Sequence, residues 1–126
     1  MKTEPTYRFE YDADSGIFYK HHTGPTTFEN IRDSWLFAFE HQLIPESVKG
    51  FILDYLEAAF AMHEDDHEKI AAFYREHLDV FGNYKFAIVV GRPQDVVIPM
   101  LVTELDRGYT SKAFSTMEAA RAWVLR

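Results

Sequence analysis

Alternating apolar and polar residues open the chain. Tyr7, Phe9 and Tyr11 alternate with charged residues, and a second alternating run covers residues 17–22. Successive side chains of a strand point to opposite faces, so both runs predict strands with one face toward solvent. The connecting residues 12–16 are rich in turn formers, which predicts an antiparallel hairpin. We expect Gly24-Pro25 to end the second strand.

A helical period follows. Apolar residues recur at intervals of three and four, which predicts a helix over residues 27–42 with one face on a sheet. Thr26-Thr-Phe-Glu29 fits a capping box, in which side chains satisfy free backbone N–H groups at the helix start. The apolar stripe consists of Phe28, Ile31, Trp35 and Phe39. The run Leu36-Phe37-Ala38-Phe39 leaves this helix little polar surface, so we also expect self-association into a homodimer.

In the rest of the chain, short apolar segments typical of strands alternate with segments that have a helical period. Strands are predicted at residues 51–56, 85–90 and 109–114, and helices at residues 64–81, 95–107 and after a second capping box that starts at Ser115. Pro99 lies inside one of these helices, so that helix should start near Ile98 or kink.

The order β-β-α-β-α-β-α-β-α predicts an α/β fold in a single domain, residues 1–126. We expect a mostly parallel five-stranded sheet with an antiparallel N-terminal edge hairpin, and four helices distributed over both faces. His21 and His22 are neighbours on a strand and therefore point to opposite faces, so they cannot bind one ion together. We expect both to be surface residues of an edge strand.

Composition narrows the classes of function. The 126 residues carry a net charge of −7, which argues against binding to nucleic acid or to an anionic membrane surface. There is no cysteine, so disulfides, thiolate nucleophiles and cysteine metal sites are excluded, and a reducing compartment is compatible. No apolar leader and no run of membrane-spanning length occurs, so we expect a soluble cytoplasmic protein without membrane insertion.

This layout resembles the STAS domain family, the anti-sigma-factor-antagonist-like fold, and the related small bacterial STAS/SEC14-like proteins. The resemblance covers nearly the whole chain. It rests on the opening hairpin and on the segments Gly24-Pro25-Thr26, Phe51-Ile-Leu-Asp54, Phe86-Ala-Ile-Val-Val90 and Phe114-Ser-Thr-Met-Glu-Ala-Ala-Arg-Ala-Trp123. It implies the STAS fold and a regulatory or binding role, and it permits an apolar ligand in a pocket.

The signalling branch of that family carries a phosphorylated serine at the start of its second helix. The matching region here reads Met62-His-Glu-Asp65 and has no hydroxyl to modify. The resemblance places Glu64 near the phosphoacceptor position, where a permanent negative charge imitates the phosphorylated state.

His63-Glu-Asp-Asp-His67 also fits the H-E-x-x-H pattern of zinc peptidases. Helical spacing would put both histidines on one face, with Glu64 to activate water. However, two aspartates intervene, the motif stands at a helix start and no third ligand is evident. We therefore expect a half-buried His67 that packs on the core and a His63 at the helix start.

Asp54 ends the apolar run that opens at Phe51 and is predicted to lie at the carboxyl edge of the sheet, where α/β proteins hold ligands. There it serves as an acid, a base or a ligand contact, or else pairs with a backbone loop or with Arg92. The predicted ligand- or partner-binding residues are Asp54, Tyr55, Glu57, His63 and Glu64, with Thr26, Thr27 and Arg92 at the rim as anion contacts.

The sequence thus favours a non-enzymatic binding or regulatory domain that needs no cofactor. Its partner is predicted to be a protein, or a small apolar or anionic ligand. The alternative is a metal-binding protein or small hydrolase that uses His63, Glu64 and His67.

Overall fold

The computed structural model describes residues 4–126, so the first three residues of the predicted domain lie outside it. The strands are β1 (Thr6–Asp12), β2 (Ile17–Thr26), β3 (Gly50–Phe60), β4 (Lys85–Val90) and β5 (Thr110–Phe114). The helices are α1 (Phe28–Glu40), α2 (Asp66–Glu76), α3 (Leu78–Phe81), α4 (Val97–Glu104) and α5 (Met117–Val124), with a 3₁₀ turn at Pro93–Val96. The predicted α/β class and five-stranded sheet are confirmed, and one predicted helix is split into α2 and α3.

The strands lie in the sheet in chain order, from β1 to β5. β1 and β2 pair antiparallel, and all other neighbours pair in parallel. Right-handed crossovers that all step in one direction put every connecting helix on the same side. Thus α1, α2 and α4 share one face of the sheet, and α5, which follows the last strand, packs on the other. We call these the three-helix face and the α5 face.

Aromatic rings fill the three-helix face. Trp35 of α1 is fully buried, and its ring centroid lies 4.9 Å from that of Phe81 and 5.8 Å from that of Phe51, both edge-on. Phe51 stacks in turn on Phe86 of the next strand at 4.8 Å. The predicted stripe of α1 is therefore confirmed as its core-facing side, and the offset and edge-on geometries are those that aromatic pairs favour.

Gly24-Pro25 does not end β2 as predicted, because the strand continues to Thr26 and pairs there with the extended end of β3 at Phe60. Thr26 O accepts a hydrogen bond from Ala61 N at 2.8 Å. Pro25, one residue earlier, therefore turns its nitrogen away from β3. On the other side β1 begins only opposite Thr23, so no strand pairs with Pro25 there and the proline forfeits no ladder bond.

Both predicted N-caps lie one residue later than expected, and of these two helices α1 alone keeps a capping box. Thr27, not Thr26, caps α1, and its hydroxyl accepts from Asn30 N while the Asn30 amide oxygen accepts from Thr27 N at 2.8 Å. At α5, Thr116 rather than Ser115 is the cap. Each pair holds two adjacent hydroxyl residues, and only the backbone path shows which of them faces the helix start.

The second and third helices also differ in their bounds. α2 begins at Asp66, two residues later than predicted, and ends where His77 leaves the helical conformation with φ of −124°. α4 begins at Val97, so Pro99 lies in the first turn and needs no kink, which confirms the first of the two expected outcomes. None of the described helices is both long and apolar enough to cross a membrane.

Lys20 is buried beneath α1 with 0% of its surface exposed. Its Nζ donates a hydrogen bond to Ser34 Oγ at 2.7 Å and lies 4.1 Å from the Trp35 ring centroid. Both partners are uncharged, so burial lowers the pKa of Lys20 well below its ordinary value of 10.5.

Lys20→Met is expected to raise the free energy of unfolding at pH 7, by on the order of 1 kcal/mol or more. Below pH 10.5 the lysine of the unfolded chain is protonated, whereas the buried Lys20 of the folded protein takes up its proton only at lower pH. This difference lowers the free energy of unfolding as the pH falls below 10.5. The gain from the substitution should therefore shrink as pH rises toward 10.5. Urea unfolding at pH 7 and at higher pH measures it, with the exposed Lys69→Met as control. Equal effects of the two substitutions would contradict the interpretation.

Candidate functional site

Part of the α5 face is covered by none of the helices within residues 4–126. The buried residues of α5 pack on the middle of the sheet, on Ile17, Tyr19, Ile52, Ala87 and Val89. Beyond them, β1, β2 and the extended β3 turn polar side chains outward. Alternation places those of β1 and β2, and a register shift beside His21 brings Glu57 onto the same face as Asp54. We call this surface the open sheet face and define it by Arg8, Glu10, His21, Thr23, Asp54 and Glu57.

His21 lies at the centre of the open sheet face, between two carboxylates. Its Nδ1 is 2.6 Å from Asp54 Oδ2, and its Nε2 is 3.0 Å from Glu10 Oε1. The Tyr19 ring lies parallel to the imidazole at 5.7 Å. Carboxylates only accept, so the ring donates to both when both nitrogens carry hydrogen. The two carboxylates thus fix the orientation of the His21 ring from both sides.

Asp54 lies away from the carboxyl edge of the sheet, contrary to the prediction made from its place at the end of an apolar run. β3 continues to Phe60, so Asp54 is in mid-strand and its side chain is only 17% exposed. Asp54 Oδ1 accepts from Leu56 N at 2.9 Å and Oδ2 contacts His21. The possible pairing of Asp54 with Arg92 is wrong, because Arg92 donates two hydrogen bonds to Asp95 instead.

An open depression of about 530 Å³ adjoins His21 at the hairpin end of this face. It is lined by Glu10, Tyr11, Asp12, Ala13, Asp14, Tyr19, His21 and Arg121. Arg121 Nε of α5 donates to Tyr19 Oη at 2.8 Å, which fixes the tyrosine at the rim. Three carboxylates face one arginine there, so the depression favours a cationic group.

Four of the predicted site residues point elsewhere. Thr26 is fully buried and donates to Gly24 O, and Thr27 is occupied as the helix cap. Arg92 forms two hydrogen bonds with Asp95, which raise the pKa of the guanidinium. Tyr55 lies on the three-helix face, where burial raises the pKa of its phenol well above 10.0. These residues do not converge on one site with Asp54.

Glu57, His63 and Glu64 are exposed along the end of β3 and the loop that follows. His63 precedes α2, so the helical face that we predicted for His63 and His67 does not exist. His67 Nδ1 contacts Glu64 O at 2.6 Å, and His63 Nδ1 accepts from Asp65 N at 3.2 Å. Among residues 4–126, no three or more His, Cys, Asp or Glu side chains are grouped to hold a metal ion.

Sequence reasoning missed Glu10 and His21. We expected His21 and His22 on the surface of an edge strand, but β2 is flanked by β1 and β3 along most of its length. His22 is consequently buried, and burial lowers its pKa to about 2. The alternation of β2 already placed His21 and Tyr19 on one face, but nothing in the pattern showed that Asp54 lies beside them.

Comparison with known proteins supports the fold. No protein-family model matches the chain, and no curated protein does. Among solved structures, it is similar to an uncharacterised DUF3478-family protein with a SpoIIAA-like fold from Shewanella loihica PV-4. The match has 16% sequence identity, a TM-score of 0.63 and 98% coverage of both chains. This likeness shows the fold alone, and it confirms the STAS-type fold that the sequence resemblance implied.

Asp54→Asn is expected to lower the free energy of unfolding by about 1–3 kcal/mol, because His21 loses a charged partner in a half-buried position. Glu57→Gln is the same chemical change at an exposed position of the same strand, and we expect an effect within about 0.5 kcal/mol. Urea unfolding followed by circular dichroism compares the two. Equal small effects would mean that the contact between Asp54 and His21 does not stabilise the fold.

The metal-binding alternative is tested by titration with Zn²⁺ in a calorimeter. We expect no stoichiometric site, and any weak uptake should be the same in His63→Ala, His67→Ala and the control His41→Ala. The reason is that His63 lies outside α2 and the described residues supply no third ligand. One zinc per chain, lost in the first two variants alone, would establish the alternative.

Proposed function

We propose that this chain, which has the SpoIIAA-like fold, is a non-enzymatic regulatory domain that binds a protein partner through its open sheet face. The observation that carries the proposal is His21, held between Glu10 and Asp54 on a part of the sheet that no described helix covers. Half-buried, mutually paired charges on an otherwise open surface form a rigid polar platform.

The same geometry supports binding over acid–base catalysis. A catalytic histidine needs one ring nitrogen within reach of the substrate proton. Here both nitrogens of His21 face carboxylates of the chain, at 2.6 Å and 3.0 Å, and the imidazole is only 12% exposed. No ring nitrogen is left for a substrate.

A positively charged segment of a partner fits this surface best. The depression beside His21 is rich in carboxylates, and the whole chain carries a net charge of −7. Complementary charge raises the association rate and selects against acidic partners. Glu57 adds a further carboxylate to the open sheet face, and His63 and Glu64 are exposed in the loop that follows β3. In this proposal Glu64 supplies permanently the negative charge that phosphorylation supplies in signalling relatives of the fold.

A small ligand has less support. The anion contacts predicted at Thr26, Thr27 and Arg92 are all engaged within the chain. An apolar cavity between the sheet and the helices α2 and α4 has a volume of about 20 Å³, which is room for one water rather than a lipid-like molecule.

The test is to identify the partner by mass spectrometry after native purification and then to measure its affinity for charge-reversal variants. Glu57→Lys, on the open sheet face, is expected to weaken binding about tenfold or more. Glu76→Lys makes the same change on α2, across the sheet, and should bind normally. Full affinity of Glu57→Lys would move the interface elsewhere, and substrate turnover by the purified chain would contradict the non-enzymatic role.

A further inference from the structure

β1 is an edge strand with a free backbone edge. It pairs with β2 on one side, and no strand within residues 4–126 pairs with its other side. Glu4 and Pro5, which precede β1, lie against Gly24 of β2, on the inner side of the strand. A free edge is a template on which another strand can add.

Exposed apolar side chains flank this edge on the three-helix face. Tyr7 is 37% exposed, and Leu36 and Phe37 of α1 are 43% and 41% exposed. Phe37 stacks on Phe9 of β1 at a centroid distance of 6.1 Å. The edge and the outer side of α1 thus form one continuous apolar border.

We propose that the occupant of this edge is a second copy of the chain. The two β1 strands pair antiparallel about a two-fold axis at Phe9, and the two five-stranded sheets join into one. This inference goes beyond the proposed function and does not depend on it.

The charge pattern of β1 selects this register. In antiparallel pairing about Phe9, Arg8 stands opposite Glu10 of the second copy, and the symmetry makes this pair twice. On the other face, Tyr7 stands opposite Tyr11 of the second copy. A shift of the axis by one residue either way puts Arg8 opposite Arg8 or Glu10 opposite Glu10, and like charges directly opposite are unfavourable.

The Arg8 side chain can reach a partner without breaking a strong contact. The Arg8 side chain is 69% exposed and its Nη1 lies 3.9 Å from Glu10 Oε1 of the same chain, a loose contact that a partner's carboxylate can replace. Since Arg8, Glu10 and His21 share one sheet face, the two open sheet faces become a single continuous surface.

Sedimentation or light scattering should give a mass of about twice 14.7 kDa that falls to the monomer on dilution. Arg8→Glu is expected to raise the dimer Kd about tenfold or more, because both attractive pairs become repulsive. Combining Arg8→Glu with Glu10→Arg restores opposite charges across the interface and should recover dimers. This variant also loses the contact between Glu10 and His21, so circular dichroism checks that it folds. Lys112→Glu makes the same charge change on β5, the opposite edge, and should leave the dimer intact. A monomer at every concentration, or a dimer indifferent to Arg8→Glu, would overturn the proposal.

Single cysteines test the register independently, since the chain has none of its own. Opposed residues in antiparallel strands lie within the Cα separation that a disulfide needs, about 4.4–6.8 Å. Mixing Arg8→Cys with Glu10→Cys chains should therefore give a crosslinked dimer on mild oxidation, and either variant alone should give little. Equal crosslinking of one variant alone would show a different register and refute the pairing about Phe9. Circular dichroism checks that both variants fold.

Discussion

The order of the strands is the constraint on which the rest of this structure depends. Because β1 to β5 follow one another across the sheet, every right-handed crossover moves the same way and delivers its helix to the same side. Of the helices in the described part of the chain, the other side receives α5 alone, whose eight residues cannot span five strands. A sheet built this way has one fully covered face and one face that is covered in part. Apolar and polar residues are sorted between them accordingly.

This asymmetry explains how one strand, β2, carries polar residues that are buried and a polar residue that is paired near the surface. Lys20 and His22 of β2 lie on the covered face and are buried, and burial lowers the pKa of each. His21, between them in sequence, lies on the partly covered face and pairs with Glu10 and Asp54. A charge on the partly covered face finds partners and some solvent, whereas a charge beneath α1 finds mainly neutral groups. In the proposed function, the polar surface that remains is where the partner would bind, at low desolvation cost.

The two proposed interfaces share β1. Glu10 faces His21 within the chain and, through Arg8 of a second copy, would face the dimer interface. Joining two sheets at β1 would double the open sheet face without covering it, which suits a domain that acts through association.

Most helices and strands, and the faces that they turn toward the core, follow from the amino-acid sequence alone. The hairpin, the apolar stripe of α1 and the strands β4 and β5 follow from local periodicity, which depends only on backbone geometry. Predictions from local pattern were wrong where the pairing of neighbouring strands overrides local preference. Pro25 is tolerated because its nitrogen meets an open edge, and β3 runs on through Glu57 to Phe60 because β2 pairs with it there. Tertiary structure alone decided that Asp54 meets His21, 33 residues away. Alternation tells which face a side chain takes, but its neighbour across the sheet depends on strand order and register, which are properties of the whole fold.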